Sequence, residues 1–254
     1  MLGQIVLFSF VGSVASLVGG VVLAMGKKKF SHGQSLLLVS FAAGVLLATA
    51  FFDLLPEAFE MFGEGHEPVL MWVFMGVIFL FLFEKSFLWY HHHHDEEHGK
   101  SKTPELLMVG DTMHNFIDGL VMGGAFLADP GVGMVTAIAI AAHEIPHEIA
   151  DFGVLLSKGW TRKKTIVVNV VSASVAMAGA VLVYFMRETF EPILPYLLAF
   201  AGGTFLYLAC SDLIPELHHE HKNDEKRYGL WEVVCFFGGI GIVYGLVKLL
   251  HGLS

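Results

Sequence analysis

The sequence predicts an all-α polytopic membrane protein with eight transmembrane helices, and three observations carry that expectation. Of the 254 residues, 55% are hydrophobic and only 15% are charged, against roughly 25% charged in soluble domains. The apolar residues gather into eight segments, at about 3–25, 34–62, 68–90, 105–128, 131–157, 164–187, 191–217 and 230–251. Each is long enough for the roughly 20 residues that a spanning helix needs. The third observation is a pair of polar clusters near the middle of the fourth and fifth segments, where ionisable groups are costly. A closed β-barrel is excluded because the segments are too long and too uniformly apolar.

The first segment begins at once, without a basic n-region or a cleavage site, and is expected to stay as the first helix. The second carries Asp53, Pro56 and Glu57 near its far end. The third leads into the longest polar connection, 91–103, which opens His91-His92-His93-His94-Asp95-Glu96-Glu97-His98 and reads as a flexible, cytoplasmic loop. The fourth and fifth are joined by Leu127-Ala128-Asp129-Pro130-Gly131, the composition of a tight turn. The sixth is largely apolar, with Asn169, Ser172 and Ser174 in its first half. The seventh repeats the second: Phe41–Glu57 and Phe200–Glu216 share nine of 17 positions, among them Asp53/Asp212, Pro56/Pro215 and Glu57/Glu216. The eighth is largely apolar, with Glu232 near its start and Lys248 and His251 near its end. Cys210 and Cys235 both fall in apolar segments and form no Cys-x-x-Cys pair, so no disulfide framework is expected.

Orientation follows from the basic residues. Lys27, Lys28 and Lys29 lie in the first connection, and Lys100 and Lys102 in the third. Lys158, Arg162, Lys163 and Lys164 lie in the fifth, and Lys222, Lys226 and Arg227 in the seventh. These are 12 of the 15 basic residues. The odd connections are therefore expected to be cytoplasmic and both termini extracytoplasmic. The second and seventh helices then run in opposite directions, an inverted repeat of the kind on which alternating-access transporters are built. The net charge of −9 is confined to short loops and offers no basic face, so nucleic acid is excluded as a partner and the bilayer is the expected surroundings.

The two midplane clusters are His114-Asn115-Phe116-Ile117-Asp118 and His143-Glu144-Ile145-Pro146-His147-Glu148, the second followed by Asp151. Asp118, Glu144, Glu148 and Asp151 alone would cost about 10 kcal/mol if inserted unpaired. At about 100° per residue, His114, Asn115 and Asp118 fall on one arc of the fourth helix. His143, Glu144, His147, Glu148 and Asp151 share an arc of about 140° on the fifth. Two such arcs facing each other make a polar seam through the bilayer centre, and Asp111 continues it towards the cytoplasm. Pro146 cannot donate to the Ala142 carbonyl, so a kink is expected there, with the freed carbonyl satisfied by protein, water or ion. Imidazole, carboxylate and amide with no thiolate suit Zn(II), and also Fe(II), Mn(II) and Cd(II), rather than Cu(I). Two overlapping sites are expected. His114, Asp118, His143 and His147 form one; Asn115, Glu144 and Glu148 form the other, sharing Asp118 or His147.

His114-Asn115-x-x-Asp118-Gly119 followed by His143-Glu144-x-Pro146-His147-Glu148 resembles the paired signature of the ZIP family of zinc and iron permeases. The resemblance covers the whole chain. It implies metal influx towards the cytoplasm, a 3+2+3 arrangement of helices and a homodimer. The His-Glu-x-Pro-His-Glu form followed by Asp151 resembles the branch rich in zinc carriers. That branch usually has Gly where this chain has Ala150, and often a large extracellular N-terminal domain that these residues do not include.

His143-Glu144-x-x-His147 is also the zinc-protease pattern, two ligands at i and i+4 with Glu as base. Pro146 would disturb the regular helix such a site needs, and His114, Asp118 and Glu148 would have no role in it. A haem-binding electron carrier is disfavoured by the carboxylates beside the histidines. No enzymatic role is expected, and the compartment expected is a bacterial inner membrane. Four other features are noted. The 91–98 histidines could buffer or sense metal. His218, His219, Glu220 and His221 could form an exit station. Asp53 and Asp212 could act as gate or relay groups, and Glu64, His66 and Glu67 form an acidic outer loop.

Overall fold

The structure is a computed structural model that describes residues 1–14, 16–18, 21–22, 32–63, 67–94, 103–218 and 229–251. Among them there is no strand. We label eight helices: α1 Leu2–Val14, α2 Leu36–Phe62, α3 Glu67–His94, α4 Thr103–Ala128, α5 Pro130–Ser157, α6 Arg162–Phe185, α7 Arg187–His218 and α8 Gly229–His251. By length and apolar composition, α2, α3, α6, α7 and α8 are able to cross a membrane. The fold is thus all-α and polytopic. α4 and α5 are equally long, but the polar residues of the two clusters dilute their apolar character. α3 runs on through His94, into the stretch expected to be loop. α5 continues without interruption from Pro130 to Ser157, past Pro146.

Local chemistry sets the helix ends. Asp129 caps α5, its Oδ1 accepting from the amides of Gly131 at 2.6 Å and Val132 at 3.2 Å, with Pro130 in the first turn. This makes the turn between α4 and α5 as tight as its sequence predicts. Gly159, at φ 85°, closes the other end of α5. Its amide donates to Leu156 and the Trp160 amide reaches back to Leu155, the paired bonds of a Schellman motif. Thr161 then caps α6 by accepting from the Lys164 amide at 3.3 Å.

The internal repeat reappears as packing. α2 lies against α8, and α7 against α3. A methyl group on Gly44 of α2 would overlap the Phe236 carbonyl of α8, and one on the equivalent Gly203 of α7 would overlap the Val73 carbonyl of α3. Both helices loosen to a π-turn at the same place in the repeat, Ala50–Leu54 in one and Leu208–Leu213 in the other, and each turn contains the repeated aspartate. Such turns gather at functional positions.

α4 packs closely on α6, with Gly119 against the Ala176 carbonyl, and α5 packs on α4, α2 and α1. In lipid, apolar burial drives no association between helices, so close van der Waals contact of small residues holds them. The core of Leu46, Met122, Phe126, Ile140 and Leu198 surrounds the inner faces of α4 and α5. Leu70, Phe74 and Leu82 on α3, and Leu230, Val234 and Phe237 on α8, face outwards, as suits an acyl-chain solvent.

Candidate metal centre

The centre lies between α4 and α5. His143 is fully buried and anchored through one ring nitrogen. Its Nδ1 donates to the Ala139 carbonyl one turn back, at 3.0 Å. In the neutral ring that bond turns the Nε2 lone pair into the seam, the arrangement that prepares an imidazole for metal. Nε2 meets Asp118 Oδ2 at 3.0 Å, His114 Nε2 at 3.3 Å and Glu144 Oε1 at 3.6 Å. His114 Nε2 stands 3.6 Å from the same Glu144 oxygen and 3.8 Å from the same Asp118 oxygen.

These spacings have a chemical meaning. Donors at about 2.0–2.2 Å from Zn(II) on a tetrahedron lie about 3.3–3.6 Å from one another. The five separations run from 3.0 to 3.8 Å, and all four donor atoms lie within 4.8 Å of each other. Neutral imidazole lone pairs facing carboxylate oxygens at such distances repel. Positive charge in the middle, proton or cation, turns the repulsion into attraction.

A second group adjoins the first. Asp111, Glu144 and Glu148 also bring one oxygen each within 4.8 Å of one another. It is all carboxylate, and Glu144 belongs to both groups. Asn115 donates its amide to the Asp111 carbonyl at 3.1 Å and to Asp111 Oδ1 at 3.2 Å, and its own oxygen is buried without a hydrogen-bond partner. Both oxygens of Glu144 and of Glu148, and Asp118 Oδ2, are likewise buried without one among the described residues. Each unpaired buried group costs about 1–3 kcal/mol, more when charged.

The sequence-predicted residues therefore divide. His114, Asp118, His143 and Glu144 converge on one point, and Glu148 joins Glu144 on the next. The His147 ring lies 5.8 Å from both other imidazoles, beside the first group rather than in it. Asp151 is half-buried and belongs to neither group. The residue shared between groups is Glu144, where Asp118 or His147 was expected, and the third carboxylate is Asp111. Its place one turn before His114, continuing the seam, was the available signal. Ser172 of α6, which bonds Asp111 at 2.5 Å, was missed altogether. Small hydroxyl residues such as Ser172 and Ser174 in a largely apolar helix read as packing.

Asp53 is buried with both oxygens lacking a hydrogen-bond partner among the described residues, whereas Asp212 is half-buried. His218 is exposed. Glu64, His66, His98, His219, Glu220 and His221 lie outside the described residues, as do the side chains of 91–94.

The sequence profile of a family described as ZIP Zinc transporter matches residues 2–106 and 105–247. The chain is 37% identical over 145 residues, 57% of its length, to zinc transporter ZIP10 of Danio rerio, of which the match covers 17%. It is 32% identical over 164 residues, 63% of its length, to zinc transporter ZIP6 of Homo sapiens, covering 21% of that protein. It is 32% identical over 220 residues, 81% of its length, to zinc transporter ZIP13 of Pongo abelii, covering 65% of it. The matched stretch thus spans about a fifth of the first two relatives and about two thirds of the third.

Proposed function

The chain belongs to the ZIP zinc transporter family, and from that premise we propose that it carries Zn(II) across the bilayer into the cytoplasm through the α4–α5 centre. The observation that supports this reading most directly is the four-atom set of His114, Asp118, His143 and Glu144, whose spacings bracket those of a zinc tetrahedron and whose Asp118 Oδ2 and Glu144 oxygens are buried without a hydrogen-bond partner among the described residues. The proposed ligands are His114, Asn115, Asp118, His143, Glu144, His147, Glu148 and Asp151. The all-oxygen group at Asp111, Glu144 and Glu148 extends the range to Fe(II), Mn(II) and Cd(II), because harder ions accept carboxylate alone. A set without thiolate binds firmly enough to select and weakly enough to release.

The wider reading has eight spans in a 3+2+3 inverted repeat, a homodimer, and both termini extracytoplasmic in a bacterial inner membrane. The basic connections support the orientation. The equivalent packing of α2 on α8 and α7 on α3 supports the repeat. The activity proposed is transport, not catalysis. Glu144, the base of a protease reading, is one of four converging donors rather than a lone group above a His pair.

Zinc uptake into sealed proteoliposomes, with iron, manganese and cadmium in competition, tests the proposal. Saturable uptake by the wild-type protein, lost in Glu144→Gln, is the expected result. Absent uptake, together with cleavage of co-reconstituted membrane peptides that Glu144→Gln abolishes, would make the protease reading the correct one.

A further inference from the structure

Ser172 sits on α6, buried to 1% exposure on the face that packs against α4. Its Oγ lies 2.5 Å from Asp111 Oδ2, 3.0 Å from Thr112 Oγ1 and 3.5 Å from Asn115 Nδ2. A hydroxyl has one proton to give, and a carboxylate can only accept. Thr112 has a backbone acceptor of its own, the Met108 carbonyl at 2.7 Å. The Ser172 proton therefore goes to Asp111. The other Asp111 oxygen accepts from Asn115 at 3.2 Å. Both carboxylate oxygens are then held by neighbours, one on α6 and one on α4. With its NH2 turned to Asp111, the Asn115 amide directs its unpartnered oxygen to the opposite side.

We propose that Ser172 is a positioning residue for the carboxylate half of the ion site. Reaching from a helix that supplies no proposed ligand, its hydroxyl fixes Asp111, and through Asp111 the orientation of Asn115. The three oxygens of Asp111, Glu144 and Glu148 are thereby presented together. Outer hydrogen bonds of this kind orient metal ligands and commonly change affinity or activity about 10–100-fold. The inference rests on the reading that this centre holds divalent cations.

Equilibrium titration of Zn(II) into the purified protein tests it, with thermal stability and proteoliposome flux measured alongside. Ser172→Ala is expected to weaken binding about tenfold at nearly wild-type stability, and Ser172→Thr, which keeps the hydroxyl, to stay close to wild type. Asp111→Asn is expected to weaken binding as well. The double variant should be no weaker than Asp111→Asn alone, because residues acting through one contact are not additive. This cycle decides the matter even if the threonine methyl crowds α4. Wild-type affinity in Ser172→Ala, losses that multiply in the double variant, or lower stability with unchanged affinity would each overturn the proposal. A wild-type protein that binds zinc but does not carry it would refute transport and leave the Ser172 result standing. One that binds no zinc would refute both.

Discussion

At the scale of single residues, the centre is built by directing lone pairs. His143 spends its Nδ1 proton on the helix backbone and offers Nε2 to the seam. Removing a member of the converging set leaves the others uncompensated. Asp118→Ala, His143→Ala and His147→Ala are expected to lower zinc flux at least about tenfold, the last because its ring stands against both other imidazoles. Asn115→Ala, which deletes only a weak amide oxygen, should shift rate or ion selectivity instead. Initial rates in sealed vesicles at matched protein content decide the order; an inert Asp118→Ala would remove the centre from the pathway. Acid should also weaken the site, since imidazole must be neutral to ligate and protons compete with the ion. Zinc affinity should fall progressively as the medium is acidified. Affinity that rises on acidification would contradict histidine ligation.

At the scale of helices, glycine decides which pairs meet. Gly44 and Gly203 sit at equivalent positions of the repeat, each beneath a carbonyl of a partner helix. Gly44→Val and Gly203→Val should therefore each destabilise the protein by about 1–3 kcal/mol, the usual cost of overpacking. Gly241→Ala on α8, where an added methyl meets nothing within 4 Å, should be neutral or slightly stabilising. Thermal unfolding in detergent reads all three. Equal melting temperatures for Gly44→Val and wild type would mean that α2 and α8 are not in backbone contact. The paired π-turns around Asp53 and Asp212 belong to the same scale. A local change of helical pitch turns a carboxylate relative to the residues a turn away, and it does so once in each half.

At the scale of the whole molecule, the basic residues predict orientation. Cysteine introduced at position 254 should react with an impermeant reagent from outside intact cells, and cysteine at position 100 only after permeabilisation. Outside labelling of position 100 would sink the proposed topology. The two converging groups are built from Asp111, His114, Asp118, His143, Glu144 and Glu148, so deletion of residues 91–98 should leave the maximal uptake rate largely intact and alter regulation or metal tolerance. Loss of uptake at normal protein level would place the segment in the pathway.

Much of this protein was legible in its sequence because the bilayer allows few solutions. Long apolar segments must be helices, midplane charges must be compensated, and two clusters with four-residue spacing must present single faces. That spacing put His114 with Asp118, and His143 with Glu144 and Glu148, on shared faces, and the internal repeat shows as nine identities in 17 positions. Periodicity along one helix, however, does not say how far a neighbouring helix is rotated or raised. Only the packing of α4 against α5 made Glu144 the residue shared by both groups and set His147 beside the first. Only the close approach of α6 to α4, through Gly119 and Ala176, brought the Ser172 hydroxyl to Asp111. Sequence spacing fixed which side chains share a face, and contact between helices, a property of three dimensions, decided which atoms meet.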